Sequence, residues 1–351
     1  MVNTLCIVTG TRADWGLLEP LAKEIIKNID LRIIATGSHL SNTHGMTIDD
    51  FSLPVHGIEC VLASDSSLAT CKGMSLALLG FVEYFSQNQI DGVILLGDRW
   101  EILSAAITAH IMQIPIFHIH GGEESGNYDN AFRHTISHMA SYHFVACKNY
   151  GDRLENFGIS KDKIFNVGVL GCDGLFPQPY PRKDELLIIY HPETLQRDEN
   201  FEELLLVLNE RVEEKIFIFP NADDGCNRIA GLIKKFCMTH IKSNWFTNLN
   251  RQKYLEILGR CQVIIGNSSS GIIEAPALGT PTVNIGKRQR GRLRAASIID
   301  CDCNIQSIRD AFNVLYSNVF QRMVQSGYYY KPYGGENVAF KIAEVILNVK
   351  L

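Results

Sequence analysis

The sequence predicts an α/β protein built from two Rossmann-like, doubly wound domains. Short apolar runs of strand length alternate with helix-length segments in both halves of the chain, as parallel sheets covered by helices require. At 351 residues the chain is also longer than a single hydrophobic core usually supports. Three prolines between Asp173 and Asp184 indicate a linker. We therefore expect domains over residues 1–172 and 183–335, with residues 336–351 forming a closing helix.

The composition is that of an ordinary globular protein. Hydrophobic residues make up 46% of the chain and charged residues 20%, and the net charge of -5 gives no basic field for nucleic acid. No apolar run approaches the ~20 residues of a membrane span. The strand-like residues 5–8 come without the basic and apolar regions of a secretion signal. We expect a cytoplasmic protein that binds neither nucleic acid nor membrane.

The cysteines and histidines do not form a recognisable metal motif. The ten cysteines are scattered, mostly in apolar runs, and a chain of this size does not need disulfides. Cys301 and Cys303 are the only close pair, whereas zinc sites usually need a second pair. His134 and His138 lack the glutamate that follows the first histidine in the helical zinc motif. We expect no metal and no other cofactor.

The first predicted strand leads into a glycine turn and a helix. Apolar residues 5–8 precede the turn Thr9-Gly-Thr-Arg-Ala-Asp-Trp-Gly16, and apolar residues at helical spacing follow it. The N-terminus of such a helix favours a phosphate, and Arg12 can add a bidentate contact. The three spaced glycines of a dinucleotide-binding loop are absent, which disfavours NAD. The alternative for Arg12 is a solvated loop position.

Asp98 follows a continuous apolar run at residues 92–96, the kind of strand found in parallel sheets. Ligands of open α/β sheets bind beyond the carboxyl ends of the strands, so Asp98 is placed to act as a base or to orient one. The alternative is that it caps a helix over residues 100–110.

The densest polar stretch runs from His118 to His134. Its seventeen residues hold three histidines, three carboxylates, an arginine and three glycines, between an apolar strand and a predicted helix over residues 131–142. Clustered carboxylates and a cation shift pKa values apart, as general acid and base partners need. The alternative is a polar turn whose acids cap the helix. The constellation consists of Asp98, His118, His120, Glu123, Asp129 and Arg133, and all of these except His118 are the candidate catalytic residues.

The second half carries a serine-rich loop, Gly266-Asn-Ser-Ser-Ser-Gly271, between a strand and a helix predicted over residues 272–278. Small residues, hydroxyls and a helix N-terminus suit a phosphate, although serine is also a common cap that needs no ligand. Glu274, placed on the first turn of that helix, can accept hydrogen bonds from a ribose.

Anion-binding loops in both halves suit a diphosphate with a group at each end, which describes a nucleotide sugar. Five cations within residues 287–294 supply one or two further diphosphate contacts; a nucleic-acid patch is disfavoured by the acidic total. The acids of the first domain are then expected to face the sugar, with the active site in the interdomain cleft.

With these motifs in order, the chain resembles the UDP-N-acetylglucosamine 2-epimerase family, and within it the hydrolysing branch of sialic and legionaminic acid synthesis. The resemblance runs nearly end to end and rests on seven motifs: Gly10-Thr-Arg12, Gly97-Asp-Arg99, His118-Ile-His-Gly-Gly-Glu123, Asp129 with Arg133-His134, His191-Pro-Glu-Thr194, Gly266-Asn-Ser-Ser-Ser-Gly271 and Asn284-Ile-Gly-Lys-Arg-Gln289.

The resemblance implies a GT-B-like fold, a nucleotide-sugar substrate and a homo-oligomer, either a dimer or a tetramer. The implied UDP-binding residues are Arg12, His191, Ser268, Ser269 and Arg288, with Glu274 as the ribose-binding acid. The implied catalytic residues are Asp98, Asp129 and Arg133. The family reaction removes the C2 proton and expels UDP from C1, which gives a 2-acetamidoglucal. In the hydrolysing branch water then adds and releases free N-acetylmannosamine.

Two departures from the family pattern bear on function. His120 stands where many members carry a catalytic glutamate, so either His120 or Glu123 performs the proton transfer. Ser38-His39 replaces the Gln-His pair with which the non-hydrolysing branch binds a regulatory nucleotide sugar, which favours hydrolysis.

Three alternatives remain. The same chemistry can act on a UDP- or GDP-linked 2,4-diacetamido-2,4,6-trideoxyglucose, as in the legionaminic acid route. The chain can also be a GT-B glycosyltransferase, which would depend on an acceptor, or a non-catalytic nucleotide-sugar sensor.

Overall fold

A computed structural model describes residues 3–178, 182–193, 200–221 and 223–349. The chain divides into two compact units. The first comprises Met1–Glu123, Tyr128–Asp173 and Gly334–Leu351, and the second comprises Glu124–Asn127 and Gly174–Tyr333. Of the predicted linker prolines, Pro179 and Pro181 lie outside the described residues.

The first unit is built on a seven-stranded parallel sheet. Its strands are β1 (Thr4–Thr9), β2 (Asp30–Thr36), β3 (His56–Ile58), β4 (Gly92–Leu96), β5 (Ile116–Ile119), β6 (Tyr142–Val145) and β7 (Ile164–Asn166), in the order β3-β2-β1-β4-β5-β6-β7. The helices that alternate with them are α1 (Arg12–Ile25), α2 (Ser67–Gln87), α3 (Trp100–Ile111), α4 (Asp129–Met139) and α5 (Lys148–Asn156). Short 3-10 turns at Gly37–Leu40 and Thr47–Asp50 follow β2.

Both faces of this sheet are covered, which explains why its strands are apolar without alternation. In β1, Leu5 and Ile7 face one core, while Cys6 and Val8 face the other. All five residues of β4 are buried.

The second unit repeats the arrangement with six parallel strands. They are β8 (Lys183–Ile189), β9 (Glu214–Ile218), β10 (Ser243–Phe246), β11 (Cys261–Gly266), β12 (Thr282–Ile285) and β13 (Ile298–Cys301), in the order β10-β9-β8-β11-β12-β13. The accompanying helices are α6 (Phe201–Asn209), α7 (Cys226–Thr239), α8 (Arg251–Arg260), α9 (Ser269–Ala277), α10 (Ile305–Leu315) and α11 (Asn318–Ser326). The predicted fold class, two Rossmann-like parallel α/β units, is confirmed.

The last helix, α12 (Val338–Asn348), belongs to the first unit and packs on α1. Its buried side is formed by Val338, Ala339, Ile342, Ala343 and Ile346, which join the same core as Leu18 and Leu21 of α1. These buried residues recur at helical spacing, so α12 covers the first unit's core with one side.

One helix in the described part of the chain, α2, is long and apolar enough to cross a membrane by length and composition alone. One side of α2 packs Ala77, Phe81 and Phe85 into the first unit's core. Such a helix is also what a covered parallel sheet uses, because its inner side must be apolar.

Candidate active site

The first-unit candidates lie at the carboxyl ends of β4 and β5 and at the start of α4. Arg133 projects from α4 and is almost fully buried, and its Nη2 contacts the Oδ2 of Asp98, just beyond β4. A buried guanidinium needs such a carboxylate, because an unpaired charge there would be costly. Two residues that lie 35 positions apart in the sequence therefore form one ionic pair, as the predicted cluster requires.

His118, which opened the densest stretch, is a buried structural residue. Its Nε2 lies 2.8 Å from the Gly97 carbonyl oxygen and its Nδ1 lies 3.1 Å from the Ser137 hydroxyl. Because a carbonyl can only accept, Nε2 carries the ring hydrogen and Nδ1 accepts from Ser137. Burial lowers the pKa of His118 to about 3, which keeps the ring neutral. His118 thereby fixes the loop that presents Asp98.

His120 and Glu123 form the second pair of this cluster. The Nδ1 of His120 lies 2.9 Å from the Oε1 of Glu123, and the two side chains are 10% and 0% exposed. The Nε2 of His120 is buried and has no hydrogen-bond partner among the described residues. One ring nitrogen thus faces a carboxylate while the other remains available.

The backbone that brings His120 and Glu123 together has two residues in the left-handed conformation. His120 has a φ of +67° and Gly122 a φ of +74°, so the chain turns sharply after β5 and brings Glu123 back to His120. A Cβ on Gly122 would lie 2.4 Å from the carbonyl oxygen of Tyr150, so only glycine fits. A left-handed histidine is uncommon and tends to be held in place at functional sites.

Asp129 is the first residue of α4 and is half-buried, one helical turn before Arg133. The helix begins at Asp129 rather than at residue 131 as predicted, so Asp129 belongs to its N-terminal turn. His134 and His138, on the same helix, pack their rings against Phe157.

Arg12 lies at the start of α1, where the sequence predicted an anion site, but its Nη2 is 2.9 Å from the Oδ2 of Asp50. Sequence reasoning missed Asp50, which lies in the Thr47–Asp50 turn and carries no motif signal. The same region contains half-buried Asp14, whose carboxyl has its pKa raised to about 6 by desolvation, against the opposing charge of Arg99.

The second-unit candidates surround Asn267, which is fully buried beyond β11. Its side chain accepts from the backbone N–H of His191 at 2.7 Å and donates to the carbonyl of His191 at 2.8 Å. Its own carbonyl oxygen accepts from Arg288 and Gln289 at 3.2 and 2.8 Å. Asn267 thus joins three of the predicted motifs. The sequence could have indicated this role, since an amide inside a serine-rich loop can bridge two backbones in both directions.

The hydrogen bonds of His191 fix the state of its ring. The backbone N–H of Asn221 donates to the Nδ1 of His191 at 3.2 Å. The Nδ1 atom is therefore an acceptor, and the neutral ring carries its hydrogen on Nε2. Such a ring offers an N–H donor, which suits a phosphate oxygen. Thr194, at the end of the predicted motif, lies outside the described residues.

Ser268 and Ser269 form the N-terminus of α9, where Ser268 is the cap and its hydroxyl accepts from Ser270 N–H at 3.4 Å. The helix begins three residues earlier than predicted. Glu274 consequently lies in the second turn and not in the first, where it pairs with Arg251 at 2.8 Å. Arg251 had no motif signal in the sequence.

Arg288 is held from both sides of its backbone. Its N–H donates to Glu193 at 3.3 Å, and its carbonyl accepts from the N–H of Gly126 at 2.9 Å. Gly126 belongs to the four-residue segment that groups with the second unit. The loop that carries Arg288 is therefore ordered by contacts other than an anion.

Each unit thus carries polar and charged side chains at the carboxyl ends of its parallel strands, which is where open α/β sheets bind ligands. One unit thus holds a cluster of paired acidic and basic side chains, and the other holds a serine-rich loop at a helix N-terminus. The sequence profile of the UDP-N-acetylglucosamine 2-epimerase family matches residues 23–347. The chain belongs to this family.

Individual relatives agree with the assignment. The chain is 37% identical to the GDP/UDP-N,N'-diacetylbacillosamine 2-epimerase (hydrolyzing) of Campylobacter jejuni over 342 residues, which cover 91% of this chain and 88% of the relative. It is 34% identical to the polysialic acid biosynthesis protein P7 of Escherichia coli, covering 98% of this chain and 94% of that protein.

The fold is similar to that of the Methanocaldococcus jannaschii UDP-GlcNAc 2-epimerase solved in complex with UDP-GlcNAc and UDP. The TM-score is 0.80 at 17% identity, with 99% of this chain and 100% of that chain covered. This likeness confirms the predicted GT-B-like fold.

Proposed function

We propose that the protein is a hydrolysing 2-epimerase that converts UDP-N-acetylglucosamine to N-acetylmannosamine and UDP. The observation that carries the proposal is the cluster of Asp98, Arg133, His120 and Glu123, buried except for half-buried Asp98, in a chain of this epimerase family. The similarity to a relative named as hydrolysing supports the branch.

The second unit is proposed to bind the nucleoside diphosphate. The N-terminus of α9 supplies backbone N–H groups and a partial positive charge, and Ser268 and Ser269 add hydroxyls. His191 contributes its Nε2–H and Arg288 its guanidinium. Glu274 is proposed to accept from the ribose, and Arg12 of the first unit to exchange Asp50 for a phosphate oxygen.

The first unit is proposed to act on the sugar, with His120 as the group that takes the C2 proton. Glu123 is fully buried on the Nδ1 side of the imidazole, so the ring atom of His120 left to meet a substrate is Nε2, which is buried without a hydrogen-bond partner among the described residues. A carboxylate beside Nδ1 favours the tautomer with its hydrogen on Nδ1, which leaves the Nε2 lone pair as the base. Glu123 is then a positioning residue that also stabilises the imidazolium.

The proposed reaction balances in two steps. His120 takes the C2 proton, the C1–C2 double bond forms, and the C1–O bond breaks to release UDP as an anion. Water then adds across the double bond, with its hydroxyl at C1 and a proton at C2 on the face opposite to the first. Asp98, held by Arg133, and Asp129 are proposed to guide the water and return that proton.

The proposal is tested by incubating the protein with UDP-N-acetylglucosamine in heavy water and following the products by NMR. We expect UDP and N-acetylmannosamine that carries deuterium at C2, without any added acceptor. Unchanged nucleotide sugar would reject this substrate, and UDP-N-acetylmannosamine would reject the hydrolysing branch.

A second substrate is favoured by the name of the Campylobacter jejuni relative, whose sugar is N,N'-diacetylbacillosamine, a 2,4-diacetamido-2,4,6-trideoxyglucose. The chemistry at C1 and C2 would be the same. Comparison of kcat/KM for this sugar linked to UDP or GDP with that for UDP-N-acetylglucosamine decides between the two substrates.

A further inference from the structure

Two side chains of α8 contact α9, one helical turn apart. Arg251 and Tyr254 are three residues apart on α8, and their partners, Glu274 and Ser270, are four residues apart on α9. Residues at these spacings lie on the same side of a helix. We call Arg251 and Tyr254 the α8 bridge. Because its two contacts lie along one side of α9, a rotation of α9 about its own axis would break both.

Arg251 contacts the carboxylate that is proposed to bind the ribose. Its Nη1 donates to the Oε1 of Glu274 at 2.8 Å, and the two side chains are 23% and 11% exposed. A carboxylate with so little exposure has few water partners, and a planar guanidinium holds it in one direction. Arg251 lies on another helix, so the orientation of Glu274 does not depend on α9 alone.

Tyr254 contacts the loop that is proposed to bind the diphosphate. Its hydroxyl donates to the Oγ of Ser270, and its ring packs against the second unit's core. Desolvation raises the pKa of the Tyr254 hydroxyl well above its usual value, so the hydroxyl keeps the proton that it donates. The backbone N–H of Ser270 in turn donates to the Oγ of Ser268 at 3.4 Å. Since the Oγ of Ser268 accepts there, its own hydrogen can be donated to a phosphate.

We propose that Arg251 and Tyr254 are positioning residues for nucleotide binding, Arg251 for the ribose through Glu274 and Tyr254 for the diphosphate through the serine-rich loop. The inference rests on the proposed function, in which the partners of the α8 bridge contact the nucleotide. Each residue of the bridge must then affect only the part of the ligand that its partner contacts. An ion pair that merely stabilised the fold would affect all nucleotides alike.

The test for Arg251 is isothermal titration calorimetry of the full chain with UDP and with UDP analogues that lack the 2′- or the 3′-hydroxyl. Wild type should bind the analogue without the contacted hydroxyl at least about tenfold more weakly than UDP, since a hydrogen bond to a charged group is lost. Arg251→Gln should raise the Kd of UDP and bring this ratio to within about twofold of one. The matched control is Lys253→Gln, which removes an exposed cation of the same helix that pairs with Glu256 and should leave both Kd values unchanged.

A double substitution shows whether Arg251 acts through Glu274. Glu274→Gln should also remove the discrimination between UDP and the analogue, and adding Arg251→Gln to it should raise the Kd of UDP by less than about a further twofold. The proposal would be overturned if Arg251→Gln weakened UDP and the analogues equally, or if its effect added fully to that of Glu274→Gln. A wild type that bound both analogues as tightly as UDP would also overturn it, because Glu274 would then not bind the ribose.

Tyr254→Phe removes the hydroxyl and keeps the ring. It should raise the Kd of UDP by about threefold to tenfold, the effect of one lost hydrogen bond, and leave the ratio between UDP and the analogue as in wild type. The control is Tyr316→Phe, which removes a hydroxyl bonded to Glu213 beside the start of β9 and should leave the Kd of UDP unchanged. Circular dichroism checks that each variant is folded. Unchanged UDP binding by Tyr254→Phe would overturn the role of Tyr254.

Binding of UDP is measured without turnover, which separates this inference from the proposed reaction. Wild type that binds no UDP would reject the proposed nucleotide site and the role of the α8 bridge with it. Wild type that binds UDP but leaves the sugar nucleotide unchanged would reject the proposed reaction alone, and the variants would still test the bridge.

Discussion

His120 combines a left-handed backbone with a buried imidazole that has a carboxylate on one side. A non-glycine residue at φ +67° costs free energy, so the surrounding contacts must hold it there. Its N–H donates to the carbonyl of Phe144 at 2.9 Å, which anchors the residue to β6. We interpret the strained conformation as the means by which the Nε2 of His120 is aimed away from Glu123.

His120→Gly is the variant that suits this conformation, because glycine adopts a positive φ without strain and leaves space for a small molecule. We expect kcat to fall by about 10²–10⁴-fold, the usual contribution of a general base. Added imidazole should restore part of the activity. The measurement is release of UDP from UDP-N-acetylglucosamine with and without imidazole.

Glu123→Gln is the matched variant. It should lower kcat without any rescue by imidazole, because the positioning carboxylate is lost while the imidazole ring of His120 stays in place. If Glu123 itself were the base, His120→Gly would keep turnover within about tenfold of wild type, and the assignment would be reversed.

The sequence could predict most of the candidate residues but few of their partners. Asp98, His120, Glu123 and Arg133 follow from strand ends and from the density of polar residues. The contacts of Arg12 with Asp50 and of Glu274 with Arg251 join residues that are distant in sequence and belong to no motif. Tertiary packing alone brings such residues together, so no local pattern could have found them.

At the level of elements, the serine-rich loop depends on the glycine that ends β11. Gly266 has a φ of +130°, and a Cβ on it would lie 2.0 Å from the carbonyl oxygen of Ile189 in β8. The close approach of two backbones lets the loop leave the sheet directly into α9. Two other glycines of the second unit allow the effect of backbone strain to be separated from that of a steric clash. Gly327 has a φ of +69° but open space around it, and Gly231 lies within α7 at a negative φ, also in open space.

Alanine at these three positions should have graded effects on stability. Gly266→Ala adds strain and a backbone clash and should cost about 3 kcal/mol or more. Gly327→Ala adds strain alone and should cost about 1 kcal/mol. Gly231→Ala improves helix propensity and should add about 0.5–1 kcal/mol. Urea unfolding followed by circular dichroism measures the order, and equal losses for Gly266→Ala and Gly327→Ala would show that the clash is relieved at little cost.

Strands were the elements that the sequence predicted best, because buried parallel strands are continuous apolar runs. The predicted strand at residues 92–96 coincides with β4 (Gly92–Leu96). Helix starts were less accurate, since α4 and α9 begin two and three residues before the predicted positions. Polar residues such as Asp129 and Ser269 can either precede a helix or begin it, and the apolar pattern does not distinguish these cases.

For the whole molecule, the two units should respond differently to acid. The first unit buries His39, His118 and His143, and this burial lowers their pKa values to about 4, 3 and 4. A buried neutral histidine stabilises the fold fully above the unfolded value of about 6.5, and this stability is lost as the pH falls toward the folded value. Asp14 has its pKa raised to about 6, so it favours the folded state as the pH falls. This one group opposes the loss of stability from three histidines.

The second unit contains a carboxyl group whose lowered pKa affects stability only at more acidic pH. Burial acts to raise the pKa of Glu213, but hydrogen bonds from Arg211 and Tyr316 outweigh it and lower the pKa to about 2. A carboxyl of this kind loses its contribution only below its usual value of about 4.5. We therefore expect the first unit to lose stability between pH 6.5 and 4, before the second. Trp15 and Trp100 lie in the first unit and Trp245 in the second, so the fluorescence of Trp245→Phe follows the first unit alone.

His143 allows this acid response to be tested group by group. Both of its ring nitrogens are buried and have no hydrogen-bond partner among the described residues, so His143→Leu removes a titrating group without breaking a hydrogen bond. The free energy of unfolding of the first unit, measured in urea at several pH values in the Trp245→Phe background, should then depend less steeply on pH. The slope between pH 4 and 6.5 should fall by up to about 1.4 kcal/mol per pH unit, which corresponds to one proton. An unchanged slope would mean that His143 charges in the folded protein, and that the acid sensitivity rests on His39 and His118.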